Sequence, residues 1–151
     1  MLDQKQFREY VVRPTLEYLD SEMPYSLAAE NLLMGTACHE SRLTYLHQVG
    51  GGPARGLFQM EPATESDIWE NFLSYRKPLE TKIKHLCGLR NLDLLANLPY
   101  QVAMARIKYW RSPESLPDPD DVQGMAKLWK QVYNTPLGRG TEQQFIDHYP
   151  H

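Results

Sequence analysis

The sequence predicts a mainly α-helical single domain with at most one small β-hairpin. Three observations carry that reading. At 151 residues the chain is the size of one domain and buries roughly two thirds of its unfolded surface without disulfide or metal staples. From Leu27 to about Glu40 apolar residues fall on nearly every side of a helix, the mark of a buried one. From Val122 to Tyr133 they recur at three- and four-residue steps, which draws one apolar face.

The elements follow in order. Phe7, Tyr10 and Val11 keep helical spacing from a start near Asp3. Pro14 is expected to interrupt that helix, because proline lacks an amide hydrogen and its ring strikes the carbonyl four residues back. A second piece through Leu16 and Leu19 follows. Met23-Pro24-Tyr25-Ser26 reads as a turn, with Ser26 as N-cap of the next helix. That helix carries Leu27, Ala28, Ala29, Leu32, Leu33, Met34, Ala37 and Cys38. Ala29, Leu33, Thr36 and Glu40 share one stripe, so Glu40 projects from the final turn.

Residues 43 to 55 contain Gly50-Gly51-Gly52-Pro53, too flexible for helix, and are assigned a short β-hairpin. Pro62 suits a first helical turn, and the helix it opens carries Ile68, Trp69, Phe72 and Leu73. Further helices are expected around 79 to 87 and from Pro99 to Trp110. Ser112 to Pro119 is a short proline-rich loop. Val122, Met125, Ala126, Trp129, Val132 and Tyr133 mark the most regular amphipathic helix, and Thr141 caps a small terminal one with Phe145 and Ile146. No internal repeat is present.

Composition excludes several functions. Sixteen Lys and Arg against 19 Asp and Glu give a net charge of -3 with no basic tract, so no nucleic acid partner is expected. Met1 to Glu9 lack the apolar core of a signal peptide, and no run is apolar enough to cross a membrane, so neither a signal peptide nor membrane insertion is expected. The two cysteines, Cys38 and Cys87, are read as reduced thiols; Cys38, inside the apolar helix, is read as a small buried hydrophobe.

One carboxylate stands out. Cleaving a glycosidic bond near neutral pH needs an acid of raised pKa, because a proton must reach the leaving oxygen. Glu40 is placed for this: an apolar helix disfavours its charged form, and the negative end of the helix dipole does so again. Taken alone, a glutamate ending a helix is usually solvated.

Neighbouring segments set Glu40 apart. Glu40-Ser41, followed by Gly56-Leu57-Phe58-Gln59-Met60-Glu61-Pro62-Ala63-Thr64, resembles the soluble lytic transglycosylase-like domain of the lysozyme superfamily. The family's second segment reads Gly-Leu-Met-Gln-Ile-Met-Pro-Ala-Thr. Tyr133-Asn134-Thr135-Pro136-Leu137-Gly138-Arg139-Gly140 is similar to its Tyr-Asn-Ala-Gly-Pro-Gly-Arg-Val. Ala103 to Trp110 is weakly similar to a family helix ending in Tyr-Leu. Together the segments cover about positions 30 to 140.

The resemblance implies a lysozyme-like α+β fold and peptidoglycan glycan strands as substrate, with no metal and no cofactor. By it, Glu40 is the catalytic acid and base, with the Tyr133 hydroxyl near its carboxylate. Ser41, Phe58, Gln59, Met60, Glu61, Tyr133 and Asn134 bind substrate. Three departures matter. Arg42-Leu43-Thr44-Tyr45 stands where the family has an aromatic residue and Asn-Pro. Val49-Gly50-Gly51-Gly52 offers none of the family's hairpin serine. Glu61 replaces a methionine and reads either as a helix-start carboxylate or as a second acid in the groove. The anhydro-forming and the hydrolytic outcome therefore both stand. A wall-cleaving chain without an export signal fits a bacteriophage. It would reside in the host cytoplasm before release, or in the virion with other virion proteins, and act in the periplasm or cell wall. The alternative is a non-catalytic phage structural or ejection protein that keeps the fold.

The remaining candidates are read as structural. His39, His47, His85, His148 and His151 stand singly, with no metal-ligand spacing, and His148 and His151 are expected in solvent. Trp69, Trp110 and Trp129 lie on amphipathic faces and are assigned to the core. Phe58, in the loop before Gln59, is the aromatic groove candidate. Arg139 is either a free surface arginine or a partner for a peptide carboxylate.

Overall fold

The computed structural model describes residues 1–89, 91–135 and 137–150. Pro136 and the solvent position expected of His151 lie outside the described residues.

The first helix, α1, is capped by Asp3, whose Oδ1 accepts the Gln6 amide at 2.9 Å. It runs as an α segment over Gln4–Phe7, a π segment over Arg8–Val12 and a second α segment over Arg13–Tyr18. Pro14 therefore does not interrupt it. Within the π segment the Arg13 amide reaches back to the Arg8 carbonyl, and the wider turn accommodates the proline ring and its missing donor at the start of the next segment.

Ser26 caps α2, Leu27–Ser41, by accepting the Ala29 amide at 3.0 Å. From Leu32 to Cys38 every residue of α2 is buried. Glu30 is buried too, an arrangement that a charge tolerates only when paired. Its Oε1 accepts from Arg13 Nε at 2.8 Å and from the Tyr25 hydroxyl at 2.9 Å, and its Oε2 accepts from Arg8. This clamp holds α1 against α2. Burial alone would raise the Glu30 pKa, but the bonds from Arg13, Arg8 and Tyr25 outweigh it and hold the carboxyl below its usual range.

After α2 the chain turns through two left-handed residues, Arg42 (φ 52°) and Leu43 (φ 54°). Such a conformation costs roughly 1–3 kcal/mol per residue. Burial of the Leu43 side chain and the bond from its amide to Ser41 Oγ, 3.2 Å, offset it. The expected hairpin does not form a ladder. Among the described residues the β structure amounts to isolated bridges, His47 with Arg55 and Arg55 with Met60. The side-chain amide of Gln48 closes the glycine loop instead, accepting the Ala54 amide at 3.0 Å.

Pro62 opens α3, Pro62–Asn71, which ends before Phe72 and passes through a 3₁₀ turn, Leu73–Tyr75. Then come α4, Lys77–Leu86, and a short α5, Asp93–Ala96, that the sequence pattern did not announce. Helix α6, Leu98–Trp110, divides the interior. Its Val102, Ala105 and Tyr109 belong to the core around α2, and its Tyr100, Ala103, Met104 and Ile107 to a second core with Ile68, Leu73 and Ile83. Trp110, assigned to the core, is 37% exposed and lies beside the Arg106 guanidinium. Helix α7 begins as Val122–Leu128 and continues as a π segment, Trp129–Asn134. Thr141 caps α8, Glu142–His148, in a capping box with Gln144.

The domain is mainly helical, as expected. Among the described residues no helix is long and apolar enough to cross a membrane.

Candidate active site

Glu40 stands in the last turn of α2 with its carboxyl largely removed from water. Oε2 accepts the indole N–H of Trp129 at 2.9 Å. Burial raises the Glu40 pKa to about 7, against the opposing pull of Trp129 and of the Lys108 ammonium. Near neutral pH the carboxyl is therefore divided between a form that can donate a proton and one that can accept it. An oxygen that accepts from an indole is the poorer seat for the proton, which leaves Oε1 to carry it.

Around this carboxyl runs a groove of three overlapping cavities. One of about 380 Å³ is bordered by Glu40, Arg42, Tyr45 and Gln48. A second, about 350 Å³, shares Glu40, Ala54 and Gln59 with the first and adds Glu61, Lys108 and Tyr133. A third, about 590 Å³, shares Thr64, Lys108 and Thr135 with the second and extends to Asp67 and Arg111. Glu40 thus sits where the first two meet, with room on both sides for an extended chain of ligand groups.

Gly56 to Met60 build one wall. The Gln59 amide closes onto the Gly56 carbonyl at 3.0 Å, and the Leu57 amide bonds the Gln101 side chain at 3.0 Å. Gly56 is required: at φ 78° a Cβ would lie 2.4 Å from the Leu94 carbonyl oxygen. Gln59 itself is left-handed, φ 48°, and its side-chain amide donates to the Gly56 carbonyl at 2.9 Å. This turn presents Gln59 to the groove and sends its neighbours inward.

Phe58 and Met60 are corrected accordingly. At 1% and 3% exposed, both side chains belong to the cores and not to the groove. Phe58 contributes through its backbone, whose carbonyl accepts the Tyr133 hydroxyl at 2.7 Å. Tyr133 borders the same cavity as Glu40, but its hydroxyl proton is directed to Phe58, not to the carboxylate. Ser41 borders the first cavity, yet its hydroxyl donates to the Ala37 carbonyl and accepts from Leu43, both at 3.2 Å. It shapes the helix end. Asn134 borders the second cavity with its amide turned to the Thr135 and Gly140 carbonyls, at 3.3 and 3.4 Å. Arg139 is exposed.

The position of Glu61 leaves both of its readings open. It is the residue before the first turn of α3, where the dipole favours a carboxylate, but its side chain makes no capping bond and borders the cavity that holds Glu40.

Three side chains in the site had other assignments or none. Trp129 is wholly buried, as expected of a core residue, and is also the donor to Glu40. Lys108 carries only a faint signal in the sequence, a single lysine in the near-continuous apolar run Val102 to Trp110. His148 is not free in solvent. Its Nδ1 lies 2.8 Å from Nδ1 of His39, and its Nε2 is 3.1 Å from the Arg42 guanidinium. Because Arg42 donates to Nε2, the shared proton belongs to His148 Nδ1 and is donated to His39. Burial, with His148 and Arg42 nearby, lowers the His39 pKa to about 4. His39 packs edge-on to Trp129 at 4.5 Å, behind the carboxyl.

Among the described residues no group of three or more His, Cys, Asp or Glu is placed to hold a metal ion. Both cysteines are free; Cys38 is buried and its thiol pushed up to about 11. No protein-family model, curated protein or solved structure matches the chain.

Proposed function

We propose that the chain cleaves the β-1,4 bond between N-acetylmuramic acid and N-acetylglucosamine in peptidoglycan, with Glu40 as its single acid and base. The observation that carries this reading is the Glu40 carboxyl itself: raised to about 7 by burial, held by an indole donor, and set in the middle of a long groove. Its proton passes from Oε1 to the glycosidic oxygen as the bond to the muramyl C1 breaks. The resulting carboxylate then takes the proton of the muramyl 6-hydroxyl, whose oxygen closes on C1 to give the 1,6-anhydro product. No water enters and no covalent enzyme intermediate forms. Gln59 and Asn134 border the groove, and by the resemblance they would help hold the N-acetyl groups.

One observation favours a second outcome. Glu61 faces the same cavity as Glu40, and a second carboxylate able to hold a water would give plain hydrolysis.

Digestion of purified cell wall with wild type and Glu40→Gln, followed by mass spectrometry of the muropeptides, tests the proposal. Anhydro products are one water lighter than hydrolytic ones. Soluble muropeptides from wild type and none from the variant are expected. Intact glycan after wild-type treatment would leave a binding or assembly role for the fold.

A further inference from the structure

Lys108 projects from α6 into the cavity that holds both Glu40 and Glu61. Its Nζ donates to the Tyr133 backbone carbonyl at 2.8 Å and lies 4.2 Å from the centre of the Tyr133 ring. Two contacts thus fix the position of a long, rotatable side chain, while it makes no ion pair with any described residue within 4 Å. Of the arginines of the groove, Arg111 is taken by Asp67 at 2.7 Å and Arg42 donates to His148 Nε2 at 3.1 Å. The Lys108 charge remains available to the carboxylates beside it.

We propose that Lys108 is a positioning residue of this site: its ammonium, held against the Tyr133 carbonyl, is the counter-charge that receives the Glu40 carboxylate once its proton has left. Glu61 shares the same ammonium from the start of α3. The proposal rests on the reading of Glu40 as the acid. Trp129 and Lys108 act on Glu40 directly. The other titratable and charged groups around it are Tyr109 from α6, Tyr133 from α7, His39 beside it on α2, Arg42 on the first cavity, and Glu61 across the second. Both tyrosines are neutral at working pH, because burial raises them well above their usual range. Trp129 offers a neutral dipole. Lys108 is then the one full positive charge bordering that cavity among the described residues. Burial lowers the Lys108 pKa, and Glu40 and Glu61 pull it back up, which is the same coupling seen from the other side.

The consequence is chemical. Burial alone would make Glu40 so weak an acid that proton transfer to the leaving oxygen slows. A fixed cation returns its acidity to the range where one group serves as acid and then as base.

The test titrates the two groups directly by carboxyl ¹³C and lysine ¹⁵N NMR in wild type, Lys108→Met, Lys108→Arg and Glu40→Gln. In Lys108→Met the Glu40 midpoint rises by about one pH unit or more, and in Lys108→Arg it stays near wild type. Glu40→Gln keeps the shape of the site, and in it the Lys108 midpoint falls by a matching amount, because the coupling is reciprocal. The second arm stands even where Lys108→Met does not fold. An unmoved Lys108 midpoint in Glu40→Gln, or an unmoved Glu40 midpoint in Lys108→Met, overturns the proposal. Neither readout needs turnover. Both shifts present without any cleavage of cell wall would therefore refute the assigned substrate and leave the pairing intact. With turnover, the alkaline limb of kcat/KM moves up with the Glu40 midpoint in Lys108→Met, while its plateau falls severalfold.

Discussion

Trp129 places its indole nitrogen 2.9 Å from Oε2 of Glu40, joining a core residue of α7 to the carboxyl at the end of α2, 89 positions earlier in the chain. The bond orients the carboxyl and selects the oxygen that carries the proton. It also favours the ionised form, against the burial that favours the neutral one. The same indole packs on Phe145 and meets the edge of His39, so the terminal helix supports the acid from behind.

Replacing Trp129 with Phe removes the donor and part of the packing. Glu40 loses an interaction that lowered its pKa, so the alkaline limb of kcat/KM moves upward. Because Trp129 is wholly buried, the variant also loses on the order of 2 kcal/mol of stability. Pairing pH-rate profiles with thermal melts separates the two effects. An unmoved alkaline limb in a folded variant would show that the indole bond does not tune the acid.

Glu40→Gln keeps the side-chain shape and removes the transferable proton, so activity falls by at least about a hundredfold. Its stability has a defined pH dependence. Folded Glu40 holds its proton more tightly than the unfolded chain does. The neutral form is favoured up to about 7 instead of 4.5, so folding loses stability as pH rises from 4.5 through 7. That loss amounts to about 3 kcal/mol. The Gln variant escapes it and should match wild type near pH 4.5 but melt higher at pH 8. His39 acts in the opposite sense. Lowered from 6.5 to about 4, it contributes stability that is full above 6.5 and is lost as pH falls through 4. In wild type the two neighbours offset each other between pH 4.5 and 6.5. Thermal melts from pH 4 to 8 should therefore be flatter for wild type than for Glu40→Gln across that window.

What the sequence makes legible is what local chemistry decides. Ser26 and Thr141 cap their helices because a short hydroxyl side chain satisfies an amide three residues on, and Pro62 starts α3 because its missing donor is not needed there. Glu40 is legible less from the apolar helix it ends than from the resemblance of Glu40-Ser41, Gly56 to Thr64 and Tyr133 to Gly140 to one family. Pro14 misled because its accommodation depends on a π turn that periodicity does not encode. Phe58 and Met60 misled because Gln59 adopts a left-handed conformation that reverses which side chains face the groove. Lys108, Trp129 and the His39–His148 pair depend on partners far along the chain. Buried Glu30 is the same case: nothing near it in sequence declares that Arg8 and Arg13 will meet it.

Tyr133→Phe deletes one hydroxyl and keeps the ring stacked on Tyr109 at 5.3 Å. The Phe58 carbonyl is then left without that donor in a buried setting, at a cost of about 1–3 kcal/mol. Since the hydroxyl is directed to Phe58 and not to Glu40, the variant should lose stability while the position of its pH-rate limbs stays put. A displaced alkaline limb with an unchanged melting temperature would return the hydroxyl to the carboxyl's surroundings.

Glu61 is where the chain parts from the family it resembles, and its substitution separates two roles. As a helix-start carboxylate it interacts with the α3 dipole, and Glu61→Met would cost only about 0.3–1 kcal/mol. As a groove residue it borders the Glu40 cavity and draws on the Lys108 ammonium. A carboxylate there can hold a water against the sugar, and methionine cannot. If Glu61 sets the outcome, the variant shifts muropeptides towards the anhydro form at the expense of the hydrated one. The absence of a capping bond leaves the carboxylate exposed on the cavity wall, but no described contact orients it towards Oε1 of Glu40. An unoriented carboxylate holds water poorly, so the expected result is an unchanged product ratio with a small loss of stability. Mass spectrometry of digests from the two proteins decides it, and a rise in the anhydro fraction would make Glu61 a determinant of the product.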